Sequence, residues 1–256
     1  LVFLGIDDGT DSGLRRLNKN MTVEESLKGI NILKKLDIGF DYGFMLFQPS
    51  STISSVNDNL EFLSKICGDG YTPVSFLKLR PYFDTQVEKE LRKAGRLKGK
   101  PGYLDYDFFD NRLNYYYQFV TSCSMKWLRD AEGLVNISRW ARNYVSVFSK
   151  YFNPNSETRI IFGNIRGIIE NSNNFLLNTM KDLLILFESE QKNDINFSAE
   201  LIERKKQLKI KHFYFKEYIN SCIDELVYAS KPNLSPLPFD ENLSLLFRSK
   251  INPKQK

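Results

Sequence analysis

The sequence predicts an α/β fold: three βα units, as in a partial (β/α) barrel or half of a doubly wound sheet, followed by an all-α C-terminal region. Three observations carry this reading. Short apolar runs alternate with amphipathic stretches through the first 98 residues, the pattern of parallel strands joined by right-handed crossover helices. Two of the amphipathic stretches open on Thr residues placed to cap a helix, Thr22 and Thr85. Beyond residue 110 the isolated apolar runs stop and long helical periodicity takes over. Three units make half of a (β/α) barrel or half of a doubly wound sheet, and neither closes alone.

The first element is the apolar run Leu1–Ile6, the composition of a buried parallel strand. It has neither the basic start nor the small-residue cleavage site of a signal peptide. A strand that expects neighbours on both sides implies that the chain begins inside a domain, and it reads as a fragment. Asp7-Asp8-Gly9-Thr10-Asp11-Ser12-Gly13 follows as a loop of turn formers. Thr22 with Glu25 is a capping box for a helix to about Leu36, with Val23, Leu27, Ile30, Leu33 and Leu36 on one face. Phe40–Phe47 is the second strand, ended by Pro49, and a helix then carries Ile53, Val56, Leu60, Leu63 and Cys67. Gly68 and Gly70 break that helix before a third strand, Thr72–Leu79. Thr85 and Glu88 start the next helix, which stops at Gly95.

Residues 99–107 shift to Gly, Pro, Tyr and Asp and read as a connection. Helices are expected over 111–121, 124–151, 158–190 (as one helix or with a break) and 198–229, with a loose tail from Lys231, which holds Pro232, Pro236, Pro238 and Pro253. The domain division is therefore 1–98 (the three βα units), 99–230 (helical domain) and 231–256 (polar tail).

Composition excludes several classes. The chain has 256 residues, 42% hydrophobic and 26% charged, in the range of globular proteins. No apolar stretch is long enough to span a membrane. The +5 net charge is unevenly spread: residues 1–110 hold 15 basic and 16 acidic side chains, and 111–256 hold 21 and 15. Cys67, Cys123 and Cys222 are odd in number and far apart, so neither a disulfide framework nor a zinc knuckle is expected, and a cytoplasmic location is. With His212 as the single histidine, a His-rich metal site cannot be built.

Ligands of parallel α/β folds sit at the C-terminal ends of the strands. That places three segments in view: Asp7-Asp8-Gly9-Thr10, Phe47-Gln48-Pro49-Ser50 and Arg80-Pro81-Tyr82. A carboxylate there accepts hydrogen bonds from an ammonium or from ribose hydroxyls, and Gly9 lets a ligand approach the backbone. Asp7 and Asp8 equally suit a role as turn caps. Arg80 suits a carboxylate or phosphate clamp, or an ion pair with a neighbouring loop acid.

Taken together these segments resemble one family. Leu4-Gly5-Ile6-Asp7-Asp8-Gly9-Thr10 with Leu14-Arg15-Arg16-Leu17-Asn18-Lys19, then Gly43-Phe44-Met45-Leu46-Phe47-Gln48-Pro49-Ser50-Ser51-Thr52 with Asn59-Leu60-Glu61-Phe62-Leu63, then Pro81-Tyr82-Phe83-Asp84-Thr85 with Glu90-Leu91 and Gly95-Arg96-Leu97, look like the fourth, fifth and sixth βα units of radical S-adenosylmethionine proteins. The wording is closest to members that carry an N-terminal cobalamin-binding domain. The resemblance covers residues 1–110 and implies a partial (β/α) barrel of three βα units, with 1–98 as its C-terminal half. It also implies reductive cleavage of S-adenosylmethionine at a [4Fe-4S] cluster, releasing a 5′-deoxyadenosyl radical that abstracts hydrogen from a small-molecule substrate. Cobalamin members often use that cofactor for methyl transfer.

By the same resemblance Asp7 falls where the family has a Glu contacting S-adenosylmethionine, one methylene longer. Asp8, Gly9, Gln48 and Arg80 are the other cofactor-binding candidates. The family's CxxxCxxC cluster motif is absent. The cluster ligands and the cobalamin domain are therefore expected upstream in the same polypeptide, and this chain alone is expected to be inert.

The rival reading is a cluster-free barrel remnant that binds an acidic partner through its basic helical half. Residues 203–217 interleave basic and aromatic side chains. They read as a helix with a solvated basic face and an aromatic core face, though the same composition suits nucleic acid or an anionic membrane surface. Nucleic acid is not among the expected partners of the first reading. Tyr115, Tyr116 and Tyr117, with Phe108, Phe109 and Phe119, are expected to pack against the barrel, and Trp127 and Trp140 to lie in the core. The three cysteines are expected to be core or partly buried thiols.

Overall fold

A computed structural model describes residues 1–152, 154–189 and 195–230; the expected tail, 231–256, lies outside the described residues. The elements run β1 (Val2–Asp7), α1 (Asp11–Arg16), α2 (Val23–Lys35), β2 (Phe40–Phe44), α3 (Ile53–Cys67), α4 (Gln86–Lys93), β3 (Leu97–Lys100), β4 (Tyr103–Tyr106), α5 (Asn111–Leu128), α6 (Leu134–Tyr151), α7 (Ser156–Glu188) and α8 (Ile195–Ser230). The described residues are mostly helical, with two two-stranded sheets, and no closed barrel is present among them.

The helix starts follow their caps. The Thr22 hydroxyl accepts from the Glu25 amide at 3.2 Å while the Glu25 carboxylate accepts from the Thr22 amide at 2.7 Å, satisfying two donors that a helix start leaves orphaned. Thr52 and Ser55 make the same reciprocal pair at α3. At α4 only half of the box forms: Thr85 accepts from the Glu88 amide, but the Glu88 carboxylate turns to Arg92.

β1 and β2 pair in parallel, Val2 opposite Phe40 and Gly5 opposite Gly43, with an irregularity between Gly5 and Asp7. The expected third strand is less regular. Leu77 and Leu79 donate to the Phe44 and Phe47 carbonyls, both at 2.8 Å, and Phe47 bridges Lys78 in parallel. Upstream of these, Pro73 has no N–H to give. The Val74 amide donates instead to Asn173 Oδ1 at 2.9 Å and the Ser75 amide to the Tyr42 hydroxyl at 3.1 Å. Side chains thus take the donors that a longer ladder would need.

The expected connection at 99–107 is a hairpin, β3 against β4, with Lys100 opposite Tyr103. The two residues between them, Pro101 and Gly102 (φ +86°), suit a type II turn. α5 runs unbroken to Leu128, and the break falls at Gly133, where a Cβ would lie 2.6 Å from the Lys126 carbonyl oxygen. α7 is one uninterrupted helix whose buried stripe, from Ile161 through Ile165, Ile168, Ser172, Leu176 and Thr179 to Leu183, packs on α3, α5, α6 and α8.

One apolar core runs from the sheet into the helices. Phe47 joins them, with its ring 5.1 Å from that of Tyr117 and 6.0 Å from those of Phe108 and Tyr116. Trp127 is buried against Phe175 and Phe215. Trp140, expected in the core, is 49% exposed; α6 spends its buried face on Leu134, Val135, Ile137, Ser138 and Ala141.

Candidate functional site

The strand ends separate the two adjacent carboxylates. Asp7 takes a positive φ of +57°, and the Asp8 amide closes a tight turn onto the Ile6 carbonyl at 2.7 Å. Left-handed backbone at a non-glycine costs about 1–3 kcal/mol, less for Asp than for most residues. The turn throws the two side chains in different directions.

Asp8 is buried, 2% exposed, and its oxygens are engaged. Oδ1 accepts from both the Thr10 amide and the Thr10 hydroxyl at 2.7 Å, and Oδ2 accepts from Gln48 Nε2. Gln48, 4% exposed, also donates its backbone N–H to Ser51 Oγ at 2.8 Å. The Gly9 amide donates to Asn59 Oδ1 at 2.6 Å. The structure therefore brings Asp8, Gly9 and Gln48 together, with Thr10, Ser51 and Asn59, as a buried knot tying β1 to the end of β2 and to α3.

The glycine at position 9 answers to packing: a Cβ there would lie 2.4 Å from Cβ of Phe62. The glycine at 13 answers to Asp8, whose carboxyl carbon is 2.2 Å from a Cβ built at 13. Of the two roles open to the acid pair, Asp8 takes the turn cap.

Asp7 lies instead on the open face of the β1–β2 pair. Its Oδ2 lies 2.6 Å from Lys19 Nζ as an ion pair, at angles outside a hydrogen bond, so that buried oxygen has no hydrogen-bond partner. Beside it Gly5 and Gly43 face each other across the strands. A Cβ at Gly5 would lie 3.5 Å from Asp7 Oδ2, and one at Gly43 3.5 Å from the Phe3 ring and 4.0 Å from Asp7 Oδ1. Phe3 is 72% exposed. A glycine floor is thus walled by an aromatic ring, a carboxylate and an ammonium.

Arg80 stands apart from both groups. It is exposed, and its charge is felt at Tyr117. Two residues before it in the chain is a more enclosed cation. The side chain of Lys78 is 9% exposed; Nζ donates to Asp105 Oδ1 at 2.6 Å and to the Tyr106 carbonyl at 2.7 Å. It also lies 4.2, 4.9 and 4.5 Å from the ring centres of Tyr106, Phe108 and Tyr117, close enough for each ring face to stabilise the charge. Burial pulls its pKa down. Lys78 ties the third parallel segment to the β3–β4 hairpin.

Lys19, Asn59 and Lys78 were not singled out from the sequence as site residues. Lys19 and Asn59 lie inside the quoted resemblance, and Asn59 is a polar side chain on the helix face that Val56, Leu60 and Leu63 bury. The Pro-Gly dipeptide marked the hairpin that cages Lys78.

The cysteines do not form a metal centre. Burial pushes the thiol of Cys67 up to about 12 and that of Cys222 up to about 11, the opposite of a thiolate ready to ligate iron. Among the described residues no group of three His, Cys, Asp or Glu side chains could hold a metal ion, and no helix is long and apolar enough to cross a membrane.

No protein-family model matches this chain, and no curated protein does. The fold is similar to solved structures of the cobalamin-dependent S-adenosylmethionine radical enzyme OxsB. The form with aqua-cobalamin bound gives a TM-score of 0.45 at 13% identity. The form with aqua-cobalamin and S-adenosylmethionine bound gives 0.45 at 12%. Each match covers 98% of this chain and 41% of that chain, so the chain spans about two fifths of the enzyme's length.

Proposed function

We propose that this chain is the C-terminal barrel half and helical domain of a radical S-adenosylmethionine enzyme, and that S-adenosylmethionine binds on the open β1–β2 face beside Asp7. One observation carries the reading: an acid–base pair, Asp7 and Lys19 at 2.6 Å, stands at the end of a strand over a glycine floor. The methionyl end of S-adenosylmethionine is a zwitterion. Its ammonium suits Asp7 and its carboxylate suits Lys19, so binding exchanges one ion pair for two charge-assisted contacts. The floor of Gly5 and Gly43, with Phe3 at its edge, suits a flat adenine.

S-adenosylmethionine held there would supply a 5′-deoxyadenosyl group for radical chemistry. The residues described here do not fit a [4Fe-4S] cluster, so its ligands, and any cobalamin, belong to other parts of the polypeptide. This chain's own part is to hold and orient the nucleoside against a small-molecule substrate. Asp8, Gly9 and Gln48 support that face from beneath by fixing the turn that presents Asp7.

Calorimetric titration of the chain with S-adenosylmethionine tests the proposal. Asp7→Asn keeps a side chain that tolerates positive φ and should weaken binding roughly tenfold, the worth of one hydrogen bond to a charged group. Lys19→Met should do the same, and Gly43→Val should abolish binding. Wild-type chain that takes up no S-adenosylmethionine, or equal affinity in all three variants, overturns it.

A further inference from the structure

We infer that the outer face of α8 is a docking surface for an anionic lipid bilayer. The inner face of this helix is spent on the core: Leu208, Phe215, Ile219, Cys222 and Leu226 are all buried. The opposite face is not the polar surface that this division leads one to expect. Ile202, Ile210 and Phe213 stand there 70%, 56% and 66% exposed, at spacings of eight and three residues that put them on one line along the helix. They span roughly 16 Å of helix axis. Lys206 stands on the same line, with Lys205 and Lys209 along one flank, and all three are exposed.

Three basic residues on the inner side of α8 are engaged within the molecule, Lys211 over the Phe175, Tyr214 and Phe215 rings and two others in ion pairs. Arg204 bonds to Glu200 at 2.7 Å and reaches Asp182 at 3.3 Å, and Lys216 reaches Glu132 at 3.4 Å. These face the molecule and are paired within it. Among the described residues Lys205, Lys206 and Lys209 have no ion-pair partner. Glu203, held by Gln207, is the single acid between Ile202 and Phe213. The surface is therefore an apolar ridge with three uncommitted cations beside it.

Charge selects an anionic partner, and the shape and composition of the ridge select its kind. A convex row of branched aliphatic side chains needs either a groove cut to fit or a soft apolar medium. Isoleucine has no π face to stack on a base, so nucleic acid would use Phe213 and Tyr214 and leave Ile202 and Ile210 in water. At the boundary between headgroups and acyl chains every one of these residues has a place: Ile202, Ile210 and Phe213 enter the apolar layer, and the lysines extend to the phosphates.

Vesicle co-sedimentation of the whole chain tests this. It should pellet with vesicles of phosphatidylcholine and phosphatidylserine and stay in solution with phosphatidylcholine alone. Each lysine near an anionic surface is worth roughly fivefold in affinity, so Lys205→Glu/Lys206→Glu/Lys209→Glu should abolish pelleting. Ile210→Ser/Phe213→Ser should reduce it at least tenfold. All five positions are exposed, so melting curves should be unchanged.

As a readout that needs no destabilising change, Phe213→Trp should be quenched by brominated acyl chains in phosphatidylserine vesicles. Wild-type chain that ignores phosphatidylserine overturns the proposal. So does a Phe213→Trp signal that brominated lipid leaves untouched. Binding to polyuridylate that survives Ile210→Ser/Phe213→Ser, without vesicle binding, would assign the face to nucleic acid instead.

Discussion

Asn173 on α7 holds Val74 in the third parallel segment, ninety-nine residues away in sequence, with its Oδ1 accepting the Val74 amide at 2.9 Å. Its Nδ2 donates to the Cys67 carbonyl at 2.6 Å and the Thr72 carbonyl at 2.9 Å. Asn173 is 1% exposed, so these bonds are made away from water. One buried amide thereby anchors the end of α3 and the start of the third segment to the helical region.

Removing that amide should cost more than its contacts suggest. Asn173→Leu strands the Val74 amide and the Thr72 carbonyl in the core, while the Cys67 carbonyl keeps the Gly70 amide at 3.1 Å, and each unsatisfied buried group costs about 1–3 kcal/mol. We expect a loss of about 2–4 kcal/mol in urea unfolding. A loss under about 1 kcal/mol would mean that water or a shifted backbone replaces all three bonds.

Gly13 offers a test with the opposite sign from helix propensity. Gly→Ala inside a helix ordinarily gains about 1 kcal/mol. Here the new methyl would meet the carboxyl of Asp8 at 2.2 Å, and Asp8 cannot yield without breaking its bonds to Thr10 and Gln48. Gly13→Ala should therefore destabilise the chain, while in an Asp8→Ala background the same change should be neutral or stabilising. The coupling in this double-mutant cycle measures how firmly the knot beneath Asp7 is held; additive effects would show that Asp8 is free to move.

His212 makes stability depend on pH. Its ring lies 5.7 Å from that of Trp127, with Nε2 buried and lacking a hydrogen-bond partner. Burial, and then the neighbouring charge of Lys216, hold its pKa below the ordinary 6.5; a hydrogen bond with the Lys126 backbone and the charge of Asp130 act the other way. A base whose pKa is depressed in the fold binds its proton more readily when unfolded. The stabilisation of the neutral ring is thus complete above pH 6.5 and is lost as the pH falls through the lower, folded value. Thermal melts from pH 7.5 to 5 should fall more steeply for the wild type than for His212→Phe. Parallel slopes would show that the ring protonates without leaving Trp127.

Much of the secondary structure was legible because its causes are local. The Thr22 cap acts within three residues, and the buried face of α3 repeats at helical spacing, so each reads from a short window. Where bonds run to distant partners, the window failed. The third strand is only partly laddered because Asn173 and the Tyr42 hydroxyl take its first amide donors, and nothing near Val74 in the sequence announces either partner. Trp140 and Trp127 look alike in sequence, yet the packing of α6 and α8 leaves one outside and the other in the core. The same limit applied to 203–217, where the basic–aromatic pattern marked a helix but not that Phe213 would face solvent while Phe215 faced the core.

By itself the sequence determined that strand ends would carry an acid pair, a glutamine and an arginine, and that helices would bury one apolar face. Those follow from composition, periodicity and capping. Only the tertiary structure decided which acid does what. Asp7 and Asp8 are adjacent, and a tight turn with positive φ at Asp7 sends one to Lys19 on the open face and the other to Gln48 beneath it. A choice between two neighbouring carboxylates depends on partners twelve and forty residues away, and so it is made by chain geometry and not by either residue's chemistry.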